Sequence, residues 1–354
     1  MKVHNLPEGQ GITGSDFLIV DNGKETKRVG FEKTIEFFRG GVESFLQSYI
    51  SNPNLLPNWY FADPANQRGL TEYVGENHIY EMYSFDQIQV YNGVSCELVS
   101  NGLKFSFPGY ADAGDYIFGC PVEYVASLRG KIVTMSILVP DLSLEINNNI
   151  YLYCKFHLDY RDTVERLSIT TPGLHTTTFK IPEDAEMVCI GCGASMRQPV
   201  DLTIMAAKLE EGNWQTLAHQ DADGGWVLND PPPNKTLELL KCQRYFLRLP
   251  GEPSAYTLIG HGKATSNSQL DLQIPIPAAM RGRPSVRMTG EWVAVGAGMC
   301  EAFTAENMTV ALSSIGTAEV CIIISGFTGL IPNHVYTIQR NNDGTGNIEL
   351  SSEM

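Results

Sequence analysis

Alternating side chains between residues 150 and 159 have the clearest potential for chemistry in this sequence. If the even-numbered residues of a strand here are buried, the odd-numbered ones share the opposite face: Tyr151, Tyr153, Lys155, His157 and Asp159. Tyrosine rings offer a flat surface on which a pyranose ring can stack, and polar neighbours can hydrogen-bond sugar hydroxyls. The pattern predicts a glycan-binding face, with the alternative that these residues only cover a sheet or meet another subunit.

The four tryptophans are the next candidates, because aromatic rings can stack on sugars or fill a core. Trp292 lies in the strand-like segment TGEWVAV and is a second candidate for glycan contact, with burial in the core as the alternative. Trp59 is expected in a core or at a domain junction. Trp214 and Trp226 flank the segment that joins two predicted domains, where we expect them to pack the domains together.

Catalytic motifs are not found in the sequence. It has no Gly-x-Ser-x-Gly elbow and no His-Glu-x-x-His pair. The segment around Gly262-Lys263 fails the phosphate-loop pattern, because Thr257 stands at the first glycine position and Ala264 at the Ser/Thr position. A glycosidase needs two carboxylates about 5–10 Å apart, but the acidic residues cluster in turns, where they commonly stabilise the backbone. We expect a protein that is not an enzyme and has no cofactor.

Two short motifs resemble metal sites and are interpreted as structural. Cys189-Ile-Gly-Cys192 lacks a second cysteine pair and lies in a strand-like run, where positions i and i+3 point to opposite faces. Asp221-Ala-Asp223-Gly224 lacks the glutamate of a calcium loop, since Pro232 stands at that position. We expect no metal at either motif, and eight reduced cysteines that behave as small buried residues.

The charge balance limits the partners. A formal net charge of −15 and a pI near 4.9 disfavour nucleic acid and anionic lipid, because no Lys/Arg cluster is present. Neutral glycans and cationic surfaces stay compatible. The sequence contains no apolar run of membrane-spanning length and no apolar stretch after Lys2 that would suit a secretory signal. We therefore expect folding in a cytoplasm and no membrane insertion.

The N-terminal part predicts a hairpin followed by a helix. Phe17–Val20 and Thr26–Val29 form strands around an Asp-Asn-Gly turn. Beyond them, apolar residues are spaced 4-3-4-3-4: Phe31, Ile35, Phe38, Val42, Phe45 and Tyr49. This spacing fits a short trimeric coiled coil, or two amphipathic helices broken at Gly40-Gly41. Both readings stay open.

Most of the remaining sequence predicts β-structure. Apolar residues alternate in several runs, at 103–107, 133–139, 150–158 and 202–206, with Gly, Asn and Asp turns between them. These runs describe a jelly-roll or similar sandwich. Pro231-Pro232-Pro233 ends this region, and residues 234–247 have the spacing of a short amphipathic helix. Strands resume at 270–274, 320–324, 336–338 and 348–350.

Several of these segments resemble parts of bacteriophage and prophage tail-fibre proteins. SDFLIVDNGKETKRVGFEKTIEFF is similar to N-terminal segments of tail proteins from prophages of Gram-positive bacteria. The opening NLLPNW and the strands YIFG and LRGKIVT resemble the carbohydrate-binding-module-like domains of phage tails, although Cys120-Pro121 departs from their pattern. The join AKLE, LAHQ and ELLKCQRYF, and the closing NIELSSEM, are similar to the segments that precede and end tail-fibre heads.

The resemblance and the residue patterns together predict a mostly β protein in four parts. Residues 1–52 form an attachment segment with a hairpin and helix, 53–220 a carbohydrate-binding-module-like jelly-roll sandwich, 221–247 a linker and short helix, and 248–354 a β-sandwich head. The resemblance implies a homotrimeric receptor-binding protein of the virion tail. It would contact tail or baseplate proteins through the N-terminal segment and host cell-surface glycans through the distal domains, by avidity. The alternatives are a polysaccharide depolymerase or glycan hydrolase, and a structural baseplate or spacer protein.

Overall fold

The structure is a computed structural model that describes most of the chain. The described residues are 17–21, 26–30, 51–74, 82–91, 93–107, 115–144, 149–157, 167–195, 199–251, 254–296, 298–342 and 344–353. The predicted coiled coil or helix pair over 31–49, and Asp159 of the predicted glycan-binding face, lie outside them. The chain divides into two units, one of residues 1–52 with 215–231 and one of residues 53–214 with 232–354.

The first unit contains two antiparallel hairpins. Strands β1 (Phe17–Asp21) and β2 (Thr26–Gly30) pair in full register, which confirms the predicted N-terminal hairpin. Residues 215–231, which we expected at the end of the sandwich and in the linker, contain the second hairpin. Its strands, which are β17 and β18 in chain order, span Ala218–Gln220 and Trp226–Leu228.

Residues 53–214 of the second unit, which we call the sandwich domain, contain strands β3–β16 and one short helix. The strands are β3 (Glu72–Val74), β4 (Met82–Tyr83), β5 (Gln89–Val90), β6 (Ser95–Val99), β7 (Gly102–Phe107), β8 (Asp115–Pro121), β9 (Ile132–Val139), β10 (Asp141–Leu144), β11 (Asn149–Lys155), β12 (Leu167–Ile169), β13 (Gly173–Lys180), β14 (Cys189–Ser195), β15 (Val200–Ile204) and β16 (Ala206–Glu211). Helix α1 spans Val125–Leu128.

These strands form three antiparallel sheets. A five-stranded sheet has the order β10-β15-β7-β6-β3, a six-stranded sheet the order β12-β11-β14-β8-β5-β4, and a three-stranded sheet the order β13-β9-β16. Phe105 of β7 stacks on Phe118 of β8 with 4.8 Å between ring centroids, so the first two sheets face each other across an aromatic core. The predicted sandwich is confirmed.

Burial in this domain is more complete than simple alternation predicts. The predicted inward residues Leu103, Phe105 and Phe107 of β7 are buried. In β9, however, residues 133–139 are all buried, including Thr134 and Ser136. Their hydroxyls hydrogen-bond threonine hydroxyls of β13 at 2.9 and 3.2 Å, so polar side chains on a covered face keep their partners.

The remaining residues of the second unit, 232–354, begin with helix α2 (Lys235–Gln243). The side chain of Asn234 accepts hydrogen bonds from the backbone N–H groups of Thr236 and Leu237, at 3.0 and 3.2 Å. An asparagine in this position is a strong N-cap, and the preceding prolines prevent an earlier start. The helix predicted from residue 234 is confirmed, although it ends at Gln243 rather than residue 247.

We call residues 232–354 the head domain, and their β-strands form two sheets. They are β19 (Phe246–Leu249), β20 (Leu258–Ala264), β21 (Gln269–Pro275), β22 (Ser285–Thr289), β23 (Glu291–Gly296), β24 (Met299–Thr304), β25 (Thr309–Ile315), β26 (Glu319–Ser325), β27 (Val335–Arg340) and β28 (Asn347–Ser351), with a 3-10 helix at Ala305–Asn307. One sheet has the order β24-β23-β27-β20-β21-β26-β25 and the other β19-β28-β22.

A single apolar core joins the two head sheets. It includes Leu272 and Ile322 of the larger sheet and Ile348 of the smaller one. The apolar run at 320–324 forms a half-buried strand, because Cys321 and Ile323 are only partly covered. Strands β27 and β28 follow one another in the chain but belong to different sheets.

The two domains of the second unit are joined by buried polar contacts. The carboxylate of Glu238 on α2 accepts a 2.8 Å hydrogen bond from the backbone N–H of Asn58, and both residues are buried. Arg68 of the sandwich domain pairs with Asp86 at 3.2 Å and with Glu353 near the C-terminus at 2.6 Å. Such contacts hold the helix and the chain end against the sandwich.

The cysteines agree with the sequence prediction in part. All eight cysteines are free, and six are buried; Cys300 is exposed and Cys321 is partly exposed. Burial raises the pKa of the Cys192 thiol well above its ordinary value, as expected of an unreactive core residue. Among the described residues, no helix combines the length and the apolar character needed to cross a membrane.

Candidate functional site

The predicted glycan-binding face of β11 is covered. The even-numbered residues are buried as expected, but Tyr151, Tyr153 and Lys155 on the opposite face are buried as well. The expectation that this face is exposed is therefore wrong for these three residues of β11, a strand that lies between β12 and β14 in the six-stranded sheet. Glycan contact by this face stays a prediction, and of its four described residues His157 is the one that is partly exposed.

The tyrosines of this face form a buried cluster. The ring of Tyr153 lies 4.4 Å from that of Tyr116, and its hydroxyl hydrogen-bonds the carbonyl oxygen of Phe118 at 3.0 Å and the hydroxyl of Tyr91 at 3.3 Å. A Cβ atom at Gly119 would lie 2.9 Å from the hydroxyl oxygens of Tyr91 and Tyr153. The missing side chain at this glycine therefore makes room for the tyrosines, which fill the sheet face themselves.

His157 and Trp292, which are described candidates as well, make contacts outside this cluster. Nδ1 of His157 lies 3.9 Å from a carboxylate oxygen of Glu186. Trp292 lies in β23 of the head, fully buried, with its indole N–H donating to the carbonyl oxygen of Thr289 at 2.9 Å. The assignment of Trp292 to a glycan surface is therefore corrected: this residue belongs to the core of the head domain.

The loop and metal motifs interpreted as structural have that role. Asp221 accepts hydrogen bonds from the backbone N–H groups of Asp223 and Gly225 at 3.0 and 2.7 Å, which closes the β17–β18 hairpin as an Asx-turn. Cys189 and Cys192 are buried in β14. Within the described part of the chain, no group of three or more His, Cys, Asp or Glu side chains could hold a metal ion.

The structure reveals a different candidate site, a cleft of about 360 Å³ between the sandwich domain and helix α2. We call it the interdomain cleft, and it is lined by Asn54, Leu55, Leu56, Pro57, Glu123, Tyr124, Ser127, Leu128, Glu211, Lys241, Arg244 and Tyr245. Its volume falls in the range of ligand pockets, which extends from about 300 Å³ upward. Apolar side chains with a few convergent polar groups are the usual lining of such sites.

Tyr124 is the most unusual residue of the cleft. It precedes α1 with φ 58° and ψ 38°, a left-handed conformation that costs a bulky side chain about 1–2 kcal/mol. Both the backbone N–H and the hydroxyl of Ser127 donate to its carbonyl oxygen, at 2.8 and 2.7 Å, which holds this geometry. Even so, the side chain is 68% exposed. Strained backbone positions cluster at binding and catalytic sites, which makes Tyr124 a candidate for ligand contact.

Arg244 and Glu123 form the polar centre of the cleft. Nη1 of Arg244 donates to a carboxylate oxygen of Glu123 at 3.3 Å and to the hydroxyl of Tyr124 at 3.2 Å. Both contacts raise the pKa of the guanidinium, the Tyr124 hydrogen bond more than the Glu123 charge. Burial, together with a hydrogen bond to Glu123, raises the pKa of the Tyr245 hydroxyl. Arginine and tyrosine therefore both hold the Glu123 carboxylate in place.

Helix α2 fixes the second side of the cleft. Its residue Glu238 is anchored to the sandwich domain at Asn58, and Lys241, one turn later, pairs with Glu238. This anchoring positions Lys241, and Arg244 just beyond the helix, on the cleft side. The arrangement can stack a sugar or another flat ligand on Tyr124 and exchange hydrogen bonds with it through Arg244 and Glu123.

Sequence reasoning missed these residues for a physical reason. Glu123 and Arg244 are 121 positions apart, and the quoted segment that contains Arg244, ELLKCQRYF, indicated only a join between domains. The nearest signal was the departure at Cys120-Pro121, which marked the segment as atypical without indicating its role. Only the packing of α2 on the sandwich domain brings the two side chains together.

Comparisons with known proteins give no family. No protein-family model matches the sequence, and no curated protein matches it either. A crystal structure of accessory secretory protein 1, 2 and 3 in Streptococcus pneumoniae is similar with a TM-score of 0.22 and 14% identity, over 46% of this chain and 100% of that chain. The N-terminal CBM22-1–CBM22-2 tandem domain of Paenibacillus barcinonensis Xyn10C is similar with a TM-score of 0.28 and 8% identity, over 79% of this chain and 96% of that chain. Likenesses this weak support no argument about function.

Proposed function

We propose that the chain is a non-enzymatic glycan-binding protein of the phage tail-fibre type, and that the interdomain cleft is its glycan-binding site. The observation that carries the proposal is the exposed, strained Tyr124 beside the Arg244–Glu123 pair. The exposed ring can stack on the apolar face of a sugar, and the charged groups beside it can hydrogen-bond the sugar's hydroxyl groups.

The finer parts of this proposal rest on the resemblance of the sequence segments to tail-fibre proteins. The N-terminal segment would attach to tail or baseplate proteins, three copies would associate, and the assembly would belong to the virion tail. Shallow glycan contacts are individually weak, so several identical sites on one particle raise the overall affinity through effective concentration. The proposal is therefore host-cell adhesion by a trimer, in which three identical sites act together.

The test of the glycan site is binding of the full chain to a glycan array and to host cells. Wild type should bind, and Tyr124→Ala should lose at least about tenfold in affinity, which corresponds to about 1.4 kcal/mol of stacking. Tyr256→Ala is a matched control, because Tyr256 is also exposed and left-handed, with φ 57°, but lies outside the cleft. An equal loss in both variants, or no binding by wild type, would refute the site.

Two further measurements test the finer statements. Sedimentation equilibrium of the full chain at micromolar concentration should give three times the mass of 39.1 kDa, and a monomer would contradict the trimer. Release of reducing ends from host polysaccharide should be absent. Release that disappears after substitution of one carboxylate, such as Glu123→Gln, would favour the hydrolase instead.

A further inference from the structure

We propose that the interdomain cleft takes a neutral sugar residue with adjacent free hydroxyl groups, and discriminates against acidic sugars. This inference rests on the proposed function and names the ligand class of the same site. It is carried by the pairing of the charged groups in the cleft rather than by the aromatic ring.

The charged side chains that line the cleft are balanced. Two are carboxylates, Glu123 and Glu211, and two are cations, Lys241 and Arg244. Each has an ion-pair partner: Glu123 and Arg244 pair with each other at 3.3 Å, and Glu211 accepts from Lys131 at 2.7 Å. Lys241 pairs with Glu238 on its own helix. Among the described residues that line the cleft, there is therefore no unpaired cation to offer an anionic ligand.

Capture of an acid would weaken the central pair. A ligand carboxylate bound to Arg244 would share the guanidinium with Glu123, whose side chain is only 18% exposed and therefore depends on that cation. A second negative charge in the cleft would also repel Glu123 and Glu211. An uncharged ligand imposes neither cost, so the electrostatics favour a neutral sugar.

Arg244 and Glu123 can also form hydrogen bonds with the hydroxyl groups of a ligand. The guanidinium of Arg244 makes its hydrogen bonds to described residues through Nη1, which leaves Nε and Nη2 as donors toward a ligand. A carboxylate accepts more hydrogen bonds than the two that Glu123 receives from Arg244 and Tyr245. Of two neighbouring sugar hydroxyls, one can accept from Arg244 while the other donates to Glu123.

The apolar surface beside this pair suits a sugar ring. Leu56 and Leu128 are buried at the cleft, and Leu55 and Pro57 are partly exposed there. The C–H face of a pyranose can rest against such side chains and Tyr124 while its hydroxyl edge turns to the charged pair. One sugar residue can therefore stack on Tyr124 and hydrogen-bond Arg244 and Glu123 at the same time.

The experiment compares neutral and acidic probes that share one ring geometry. Tetrasaccharides of glucose, galactose and mannose are each matched with the corresponding hexuronic acid tetramer, and affinities for the full-length wild type are measured by titration calorimetry. We expect at least one neutral probe to bind tenfold or more tightly than its acidic match, with binding lost in Tyr124→Ala and kept in Tyr256→Ala.

Glu123→Gln gives the reciprocal test. It keeps the side-chain shape and one acceptor oxygen but frees the charge of Arg244, so it should weaken the neutral probe about tenfold and strengthen its acidic match. Circular dichroism confirms that the variant folds. Tyr124-dependent binding that favours the acidic probes, or a ratio unchanged by Glu123→Gln, would overturn this inference and leave the proposed function standing. No Tyr124-dependent binding to any array glycan or probe would refute the proposed function itself.

Discussion

Replacing Arg68 by alanine should destabilise the protein strongly, and in a manner that depends on pH. The guanidinium pairs with Asp86, whose side chain is fully buried, and with Glu353, which is nearly so. It also stacks on the ring of Phe246, with its central carbon 3.8 Å from the ring centroid. One side chain thus holds the sandwich domain, the first head strand and the chain end together.

The magnitude follows from what the substitution leaves behind. Removing one partner of a buried ion pair costs about 3–5 kcal/mol, because the other charge stays buried. Asp86 keeps hydrogen bonds from the backbone N–H and the side-chain amide of Gln67, at 3.2 and 3.0 Å, and Arg68 is not completely buried. We therefore expect the lower end of this range, about 3 kcal/mol at pH 7.

The pH dependence has a defined sign. Burial raises the pKa of Asp86 and of Glu353, while Arg68 lowers both. A carboxyl group whose folded pKa lies above its unfolded value is most favourable to the folded state below the unfolded pKa, and this contribution is lost as the pH rises through the folded pKa. Without Arg68 both pKa values rise further. The penalty of Arg68→Ala should thus be complete at pH 7 and shrink as the pH falls toward about 4.

Urea unfolding of wild type and Arg68→Ala at pH 7 and pH 4.5, followed by circular dichroism, measures both quantities. Lys180→Ala is the control, because Lys180 makes an exposed ion pair with Glu183 and should change stability by less than about 0.5 kcal/mol. A loss below about 1 kcal/mol for Arg68→Ala at pH 7, or an equal loss at both pH values, would show that the buried-pair reasoning is wrong.

Three other substitutions have expected outcomes. Asn234→Ala removes the N-cap of α2 and should cost about 1 kcal/mol in urea unfolding, with faster amide exchange at Thr236 and Leu237; unchanged exchange would contradict the cap. Gly119→Ala places a Cβ atom within 3.0 Å of three side-chain atoms and should cost about 1–3 kcal/mol and alter the near-ultraviolet tyrosine signal, whereas a neutral effect would mean that the cluster is loosely packed. Tyr124→Gly should raise the unfolding free energy by up to about 1 kcal/mol while abolishing glycan binding, and a loss of stability would argue against strain at this position.

Sequence patterns predicted the elements whose structure depends mainly on residues close to them in the chain. The β1–β2 hairpin follows from its turn residues, and the start of α2 follows from Asn234 after a proline run. The alternation of apolar and polar residues predicted β7 and β21 correctly, because each strand buries one apolar face against a core. These features depend on neighbours a few residues away, so one sequence suffices to find them.

The site could not be predicted because its determinants are tertiary. The alternation in β11 predicted one buried face correctly. It did not indicate that the opposite face, which includes Tyr153, is buried as well. Trp292 was ambiguous for the same reason, since an aromatic residue in a strand suits a surface or a core equally. Tyr124 is exposed and its backbone adopts a left-handed conformation, and no residue pattern around it predicts either property.

The position of α2 has a consequence for any hybrid protein in which the C-terminal strands are replaced. Lys241, Arg244 and Tyr245 precede strand β19, so a junction at the proline run replaces them together with those strands, whereas a junction after Phe246 retains them. A hybrid of the first kind would contain a cleft with one foreign side. A hybrid of the second kind would keep every lining residue of the cleft, so it separates the contribution of the strands after α2 from that of the cleft.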